Sequence, residues 1–196
     1  MNIPNLLTLF RLLLIPLFVA VFYAPYYAPF KFSYLASAAV FALAAATDWL
    51  DGYMARRLNQ STAFGAFLDP VADKVMVAVV LVLMVERYAT PLFALAVAVI
   101  VARELLISAL REWMAELGQR AKVAVSVIGK IKTTFQMAAI LILLAVIPEH
   151  GHPMMHVGFV CLYIAVGLTL WSAFIYLRAA WPLLKEGLFE GRKGKS

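Results

Sequence analysis

The sequence predicts an all-α, polytopic membrane protein with six transmembrane helices. Two observations carry that expectation. The composition is too apolar for a water-soluble domain, with 64% hydrophobic residues, 14% charged residues and a mean hydropathy of +0.89 over 196 residues. The apolar sequence also divides into six segments, near 5–23, 32–50, 71–85, 90–110, 125–147 and 153–180. Most are long enough to cross a hydrocarbon core of about 30 Å.

The first segment opens after Pro4, which suits a helix start. No basic stretch precedes it and no small-residue cleavage site follows, so it is expected to be retained rather than removed as a signal peptide. Asn5, Thr8 and Arg11 form a polar stripe amid its leucines and phenylalanines, expected to face a cavity. From there Asn5 and Thr8 can hydrogen-bond a ligand or bridge helices. "YAPYYAPF" separates the first and second segments, "RYATP" the third and fourth, and "PEHGHP" the fifth and sixth, with Pro and Gly as punctuation. The sixth holds Cys161, the sole cysteine, which excludes an intrachain disulfide and leaves thiol catalysis without a neighbouring base. With no internal repeat or linker, the chain reads as one catalytic domain, 1–196, whose basic tail, 182–196, is expected at the membrane surface.

Charge orients the bundle. With both termini inside, the outer loops near 24–31, 86–90 and 148–153 hold only Lys31 and Arg87 of the 17 basic residues, so an N-in/C-in topology satisfies the positive-inside rule. The net charge of +6 then sits largely on the inner face, suited to anionic lipid or phosphorylated substrates; no nucleic-acid motif accompanies it. His150, His152 and His156 lack the spacing of a complete ligand set and belong to an outer loop. Tyr26, Tyr27, Trp113 and Trp181 near segment ends read as interfacial anchors.

Ionisable residues inside a membrane are costly and normally face a bundle interior or a watery cavity. In "DWLDGYMARR", Asp48, Asp51, Gly52, Ala55 and Arg56 share one helical face. The two carboxylates stand one turn apart, Gly52 and Ala55 remove bulk so that a ligand or helix can approach, and Arg56 adds a planar cation. In "GAFLDPVADK", Gly65, Asp69 and Asp73 also share a face. Pro70 fits the first turn of a helix, which places Asp69 near its start and leaves the Gly65 end as loop or distorted helix. Residues 57–68 read as a short cytoplasmic connection, so both carboxylate pairs meet at the same membrane face. Four converging carboxylates repel unless cations are present. Oxygen-only donors favour Mg²⁺, or Mn²⁺, over zinc, and four carboxylates suit two ions. The competing structural account, helix-capping acids paired with Arg56, Arg57 and Lys74, explains one aspartate better than four.

Together, Asp48-x-x-Asp51-Gly52-x-x-Ala55-Arg56 and, eight residues on, Gly65-x-x-x-Asp69-x-x-x-Asp73 resemble the signature of the CDP-alcohol phosphotransferase family without a departure. "NIPNLLTLFRLLLIP", "ARELLISALREWMAELG" and "GKIKTTFQM" are similar to its bacterial phosphatidylglycerophosphate synthase branch, and the likeness weakens in the outer loops and the last segment. The resemblance implies a six-helix bundle, a homodimer, and a multi-pass protein of the bacterial inner membrane with its active site at the cytoplasmic face. The implied reaction transfers a phosphatidyl group from CDP-diacylglycerol to sn-glycerol 3-phosphate. It further implies that Asp48, Asp51, Asp69 and Asp73 hold two Mg²⁺ ions, that Asp73 is also the general base, and that Gly52, Arg56 and Thr62 contact the CDP part. Ala55, Gly65, Asn5 and Thr8 are grouped with them around the donor.

A phosphorylated acceptor needs further cations. Arg103 and Arg111, eight residues apart on one face, and Lys130 and Lys132 at the start of the fifth segment supply them. The alternative for each lysine is snorkelling at the inner interface. Two other functions remain open at this level: the same chemistry on another alcohol (inositol phosphate, serine, phosphatidylglycerol), and divalent-cation transport. The confinement of the acidic clusters to one membrane face speaks against transport.

Overall fold

A computed structural model describes residues 3–28, 32–58, 63–118, 127–147 and 153–190; within its helices the side chains of 3–5, 49, 51–58, 63–64, 66, 127–128, 183–184 and 186–190 lie outside the description. Among the described residues there are six helices and no strand: α1 (Ile3–Tyr27), α2 (Ser33–Leu58), α3 (Ala63–Tyr88), α4 (Pro91–Glu116), α5 (Val127–Ala145) and α6 (Pro153–Glu190). The predicted all-α membrane architecture is the observed one.

Among the described residues, three stretches, Leu6–Tyr27, Pro91–Glu116 and Pro153–Pro182, are long and apolar enough to span a bilayer by themselves. Their outward faces carry exposed Leu13, Leu95, Trp171 and Phe174, as a surface solvated by lipid requires. α2 runs on from its apolar stretch into the charged motif and ends at Leu58. Apart from α5, the helices are longer than the apolar segments that announce them.

Two boundaries correct the sequence reading. Pro70 does not open α3 but sits seven residues inside it, so Gly65 is helical and the connection between the acidic clusters shrinks from 57–68 to 59–62. Pro70 removes one hydrogen bond, to the carbonyl four residues back; a bundle packed on several sides tolerates that where an isolated helix would break.

The α3–α4 turn is tight. Ala89 adopts φ +41° and donates to Val85, after which Thr90 caps α4 by accepting from the Phe93 amide, with Pro91 in the first turn. Gly118, at φ +71°, ends α4 in the left-handed region that favours glycine.

Packing pairs α1 with α2 and α5 with α6, while α4 leans on α6 and α1 also covers α3. Phe18, Phe41, Leu81, Phe93, Ile100, Ile140 and Leu143 are fully buried between them. At Gly158 the α5–α6 approach is so close that a Cβ would lie 2.6 Å from Leu143 Cδ2. At the end of α3 away from the aspartates, the Arg87 guanidinium stacks 4.2 Å from the Phe22 ring, and Tyr88 donates to the Leu143 carbonyl at 2.7 Å.

Candidate active site

The acidic cluster is assembled by the first helix. Arg11, 1% exposed, places Nη1 2.7 Å from Asp48 Oδ1, and Thr8, fully buried one turn earlier, donates to the Asp69 carboxylate. Thr8 and Arg11, the described members of the stripe, therefore face inward as expected. Through this contact Thr8 bridges α1 and α3.

Asp48, Asp73 and Arg11 line one cavity of about 10 Å³, room for a single water-sized group, walled otherwise by side chains such as Phe41 and Met76. Asp73 also lines a second, larger cavity of about 210 Å³ between α3, α4, α5 and α6. Among the described residues it is the only acidic side chain common to the two. Among the described residues the larger cavity carries Lys74, Arg103, Arg111 and Lys132 against Asp73 and Glu104, a formal balance of +2.

Arg103, Glu104, Lys132 and Lys74 are each held by a neighbouring helix. Arg103 donates through Nη2 to Ser172 Oγ at 2.8 Å and through Nη1 to Glu104 Oε1 at 3.1 Å, with the Tyr176 ring centroid 5.8 Å from its Cζ. Lys132, buried, pairs with the same Glu104 oxygen, so one carboxylate joins α4 to α5. Lys74 donates to Ser108, joining α3 to α4. Lys74 and Arg111 continue into an adjoining space of about 400 Å³ lined by Pro70, Ser108 and Glu112.

Of the predicted acceptor residues, Arg103, Arg111 and Lys132 converge. Lys130 does not: it is exposed and lines an open groove on α5 with Thr134 and Leu141. Helical geometry separates the two lysines, since two residues turn a side chain about 200° around the axis. Gly65 is buried on α3. Asp51, Gly52, Ala55 and Arg56 lie on the α2 backbone, Asn5 on α1 and Thr62 between helices; the side chains of these positions, and Thr62 altogether, fall outside the described residues.

Sequence reasoning missed Gln136, Ser172 and Tyr176. The signal existed: Gln136 stands one turn beyond Lys132 on the same face, and Thr169, Ser172 and Tyr176 mark a polar stripe at spacings of three and four along an apolar helix.

Among the described residues, no group of three or more Asp, Glu, His or Cys is close enough to enclose an ion, with the Asp51 side chain outside that search. The donor chemistry nevertheless suits a hard divalent cation. Asp48, Asp69 and Asp73 offer only carboxylate oxygens, and two of them open onto the same water-sized space.

Fold and site define a class: a multi-pass membrane protein in which an acidic cluster meets a net-cationic cavity at one end of the bundle. The model of the family described as CDP-alcohol phosphatidyltransferase matches residues 1–171, and the chain belongs to that family. It is 56% identical over 194 residues to the CDP-diacylglycerol–glycerol-3-phosphate 3-phosphatidyltransferase of Pseudomonas fluorescens, covering 98% of this chain and 95% of that one. Proteins of the same name from Yersinia enterocolitica and Sodalis glossinidius are 55% and 53% identical, over 95% and 97% of this chain and 98% of each relative.

Proposed function

We propose that the chain is an integral-membrane phosphatidyltransferase that moves a phosphatidyl group from CDP-diacylglycerol to sn-glycerol 3-phosphate and releases CMP. The relatives, matched over nearly their whole length, carry that activity in their names. The observation that carries the reading structurally is the position of Asp73, shared between the carboxylate cavity and the cationic one.

In this reading the acceptor's phosphate dianion enters the +2 cavity and is gripped by the Arg103 fork, Lys132 and Arg111. Its far hydroxyl then lies toward Asp73, which accepts the proton as the hydroxyl oxygen attacks the phosphatidyl phosphorus; the bond from that phosphorus to CMP breaks and CMP departs with the electron pair. Asp48, Asp51, Asp69 and Asp73 are the residues that would hold two Mg²⁺ ions, with Mn²⁺ as a substitute. When bound, the ions neutralise the diphosphate and polarise the phosphorus under attack. Arg11 and Thr8 fix the orientation of Asp48 and Asp69. Gly52, Ala55, Arg56, Thr62, Gly65, Asn5 and Thr8 surround the CDP part in this proposal, and the acyl chains stay in the bilayer.

The same reading places the enzyme in the bacterial inner membrane as a homodimer, N-in/C-in, with 1–196 as one domain and 182–196 as a basic tail on the cytoplasmic surface. Purified protein with CDP-diacylglycerol should release CMP with glycerol 3-phosphate and not with serine. Chelation should stop turnover, and Mg²⁺ should restore it. Absence of CMP with every acceptor would end the transferase reading, whereas preference for serine would overturn only the acceptor.

A further inference from the structure

Gln136 is 5% exposed, lines the cationic cavity and comes from α5, one turn deeper than Lys132. Its Oε1 meets no donor among the described residues. In the same cavity the Arg103 Nε, also buried, meets no acceptor among them. Buried polar atoms are nearly always paired, so an acceptor and a donor left open on the wall of one cavity describe the ligand that closes it. That ligand must bring an anionic oxygen for Arg103 and a hydroxyl for Gln136.

We infer that Gln136 is a specificity-determining residue that accepts a hydrogen bond from the acceptor's secondary hydroxyl. The inference rests on the transferase reading above and deepens it. Glycerol 3-phosphate has three functional groups in a row, and the walls of the cavity offer a partner for each: Arg103 and Lys132 for the phosphate, Asp73 for the attacking primary hydroxyl, Gln136 for the hydroxyl between them. Water can satisfy Gln136 in the empty cavity. An acceptor that displaces the water without replacing its hydrogen bond strands a buried carbonyl oxygen, which is the strongest kind of discrimination a small polar group can exert.

The test uses the full-length enzyme and two acceptors, glycerol 3-phosphate and 3-hydroxypropyl phosphate, which keeps the phosphate and the primary hydroxyl and lacks the secondary one. Kcat/KM, from CMP release, should favour glycerol 3-phosphate by about tenfold to hundredfold, the span set by leaving one buried polar atom unpaired. Gln136→Leu should lower kcat/KM for glycerol 3-phosphate by a similar factor and bring the ratio between the acceptors close to one. Gln136→Asn, which withdraws the carbonyl by one methylene, should narrow the ratio in the same direction and serves where the leucine variant does not fold. Equal use of the two acceptors by the unsubstituted enzyme overturns the inference, as does a folded variant that loses activity on both acceptors alike. No turnover with either acceptor is the separate failure of the transferase reading.

Discussion

Replacing Glu104 by Gln keeps the side-chain shape and removes one charge, and the expected response has two parts that pull in opposite directions. Glu104 Oε1 serves both Lys132 and Arg103, whose side chains are 5% and 11% exposed, while Glu104 itself is 28% exposed. Breaking a fully buried pair costs about 3–5 kcal/mol and a surface pair about 0–1 kcal/mol. Partial exposure on the acidic side puts this cluster between them, at about 2 kcal/mol, or roughly 4–8 °C in the unfolding midpoint for a chain of this size. The cavity meanwhile passes from a formal +2 to +3, and the carboxylate that competed with a ligand anion is gone.

Glu104→Gln should therefore be less stable without ligand and should gain more stability from phosphate than the unsubstituted protein does, because a bound anion stabilises through its affinity for the folded state. The assay is thermal unfolding in detergent across a titration of inorganic phosphate and, separately, of glycerol 3-phosphate. An unchanged midpoint would show that Glu104 is no structural counter-ion. A phosphate-dependent rise no larger than in the parent would refute the assignment of this cavity to an anion.

Asp73→Asn should abolish CMP release while much of the binding of CDP-diacylglycerol survives, since Asp48, Asp51 and Asp69 remain; turnover equal to the parent's would remove Asp73 from the base role. Gly158→Ala, far from the site, should lower stability by about 1–3 kcal/mol, because its methyl meets the fully buried Leu143 and one of the two must shift. The measurement is the unfolding midpoint alongside KM for the acceptor. A lowered midpoint with an unaltered KM is the expected outcome, and an unaltered midpoint would show that α5 and α6 separate freely there.

What the sequence disclosed followed the strength of its signals. Asp48 and Asp73 were legible because charge is conspicuous in apolar sequence and helical spacing orders it. Arg103 and Lys132 were legible for the same reason, whereas the choice between Lys132 and Lys130 was not: both fit the inner interface, and only packing against Glu104 on α4 selects one. Pro70 misled because local propensity argues for a helix start, and tertiary contacts from neighbouring helices outweigh one missing hydrogen bond. Gln136, Ser172 and Tyr176 escaped because neutral polar residues are common in membrane helices, where they bridge neighbours as often as they bind ligands.

The spacing between the two acidic motifs was also beyond the sequence, and α1 is its physical origin. The helices that carry the aspartates barely pack on each other; both lie on α1 instead. From α1, Arg11 reaches Asp48 on α2 and Thr8 reaches Asp69 on α3, three residues apart and so nearly one turn apart on the same face. One short stretch of α1 thereby takes hold of a carboxylate from each partner and fixes how far apart the halves of the cluster stand. A buried arginine left without its carboxylate would be strongly unfavourable, so the Arg11–Asp48 contact is held firmly. The 44% exposure of Asp48 leaves the rest of that carboxylate open to a ligand. The motif supplies the oxygen donors, and a helix outside the motif sets the width of the cradle they form.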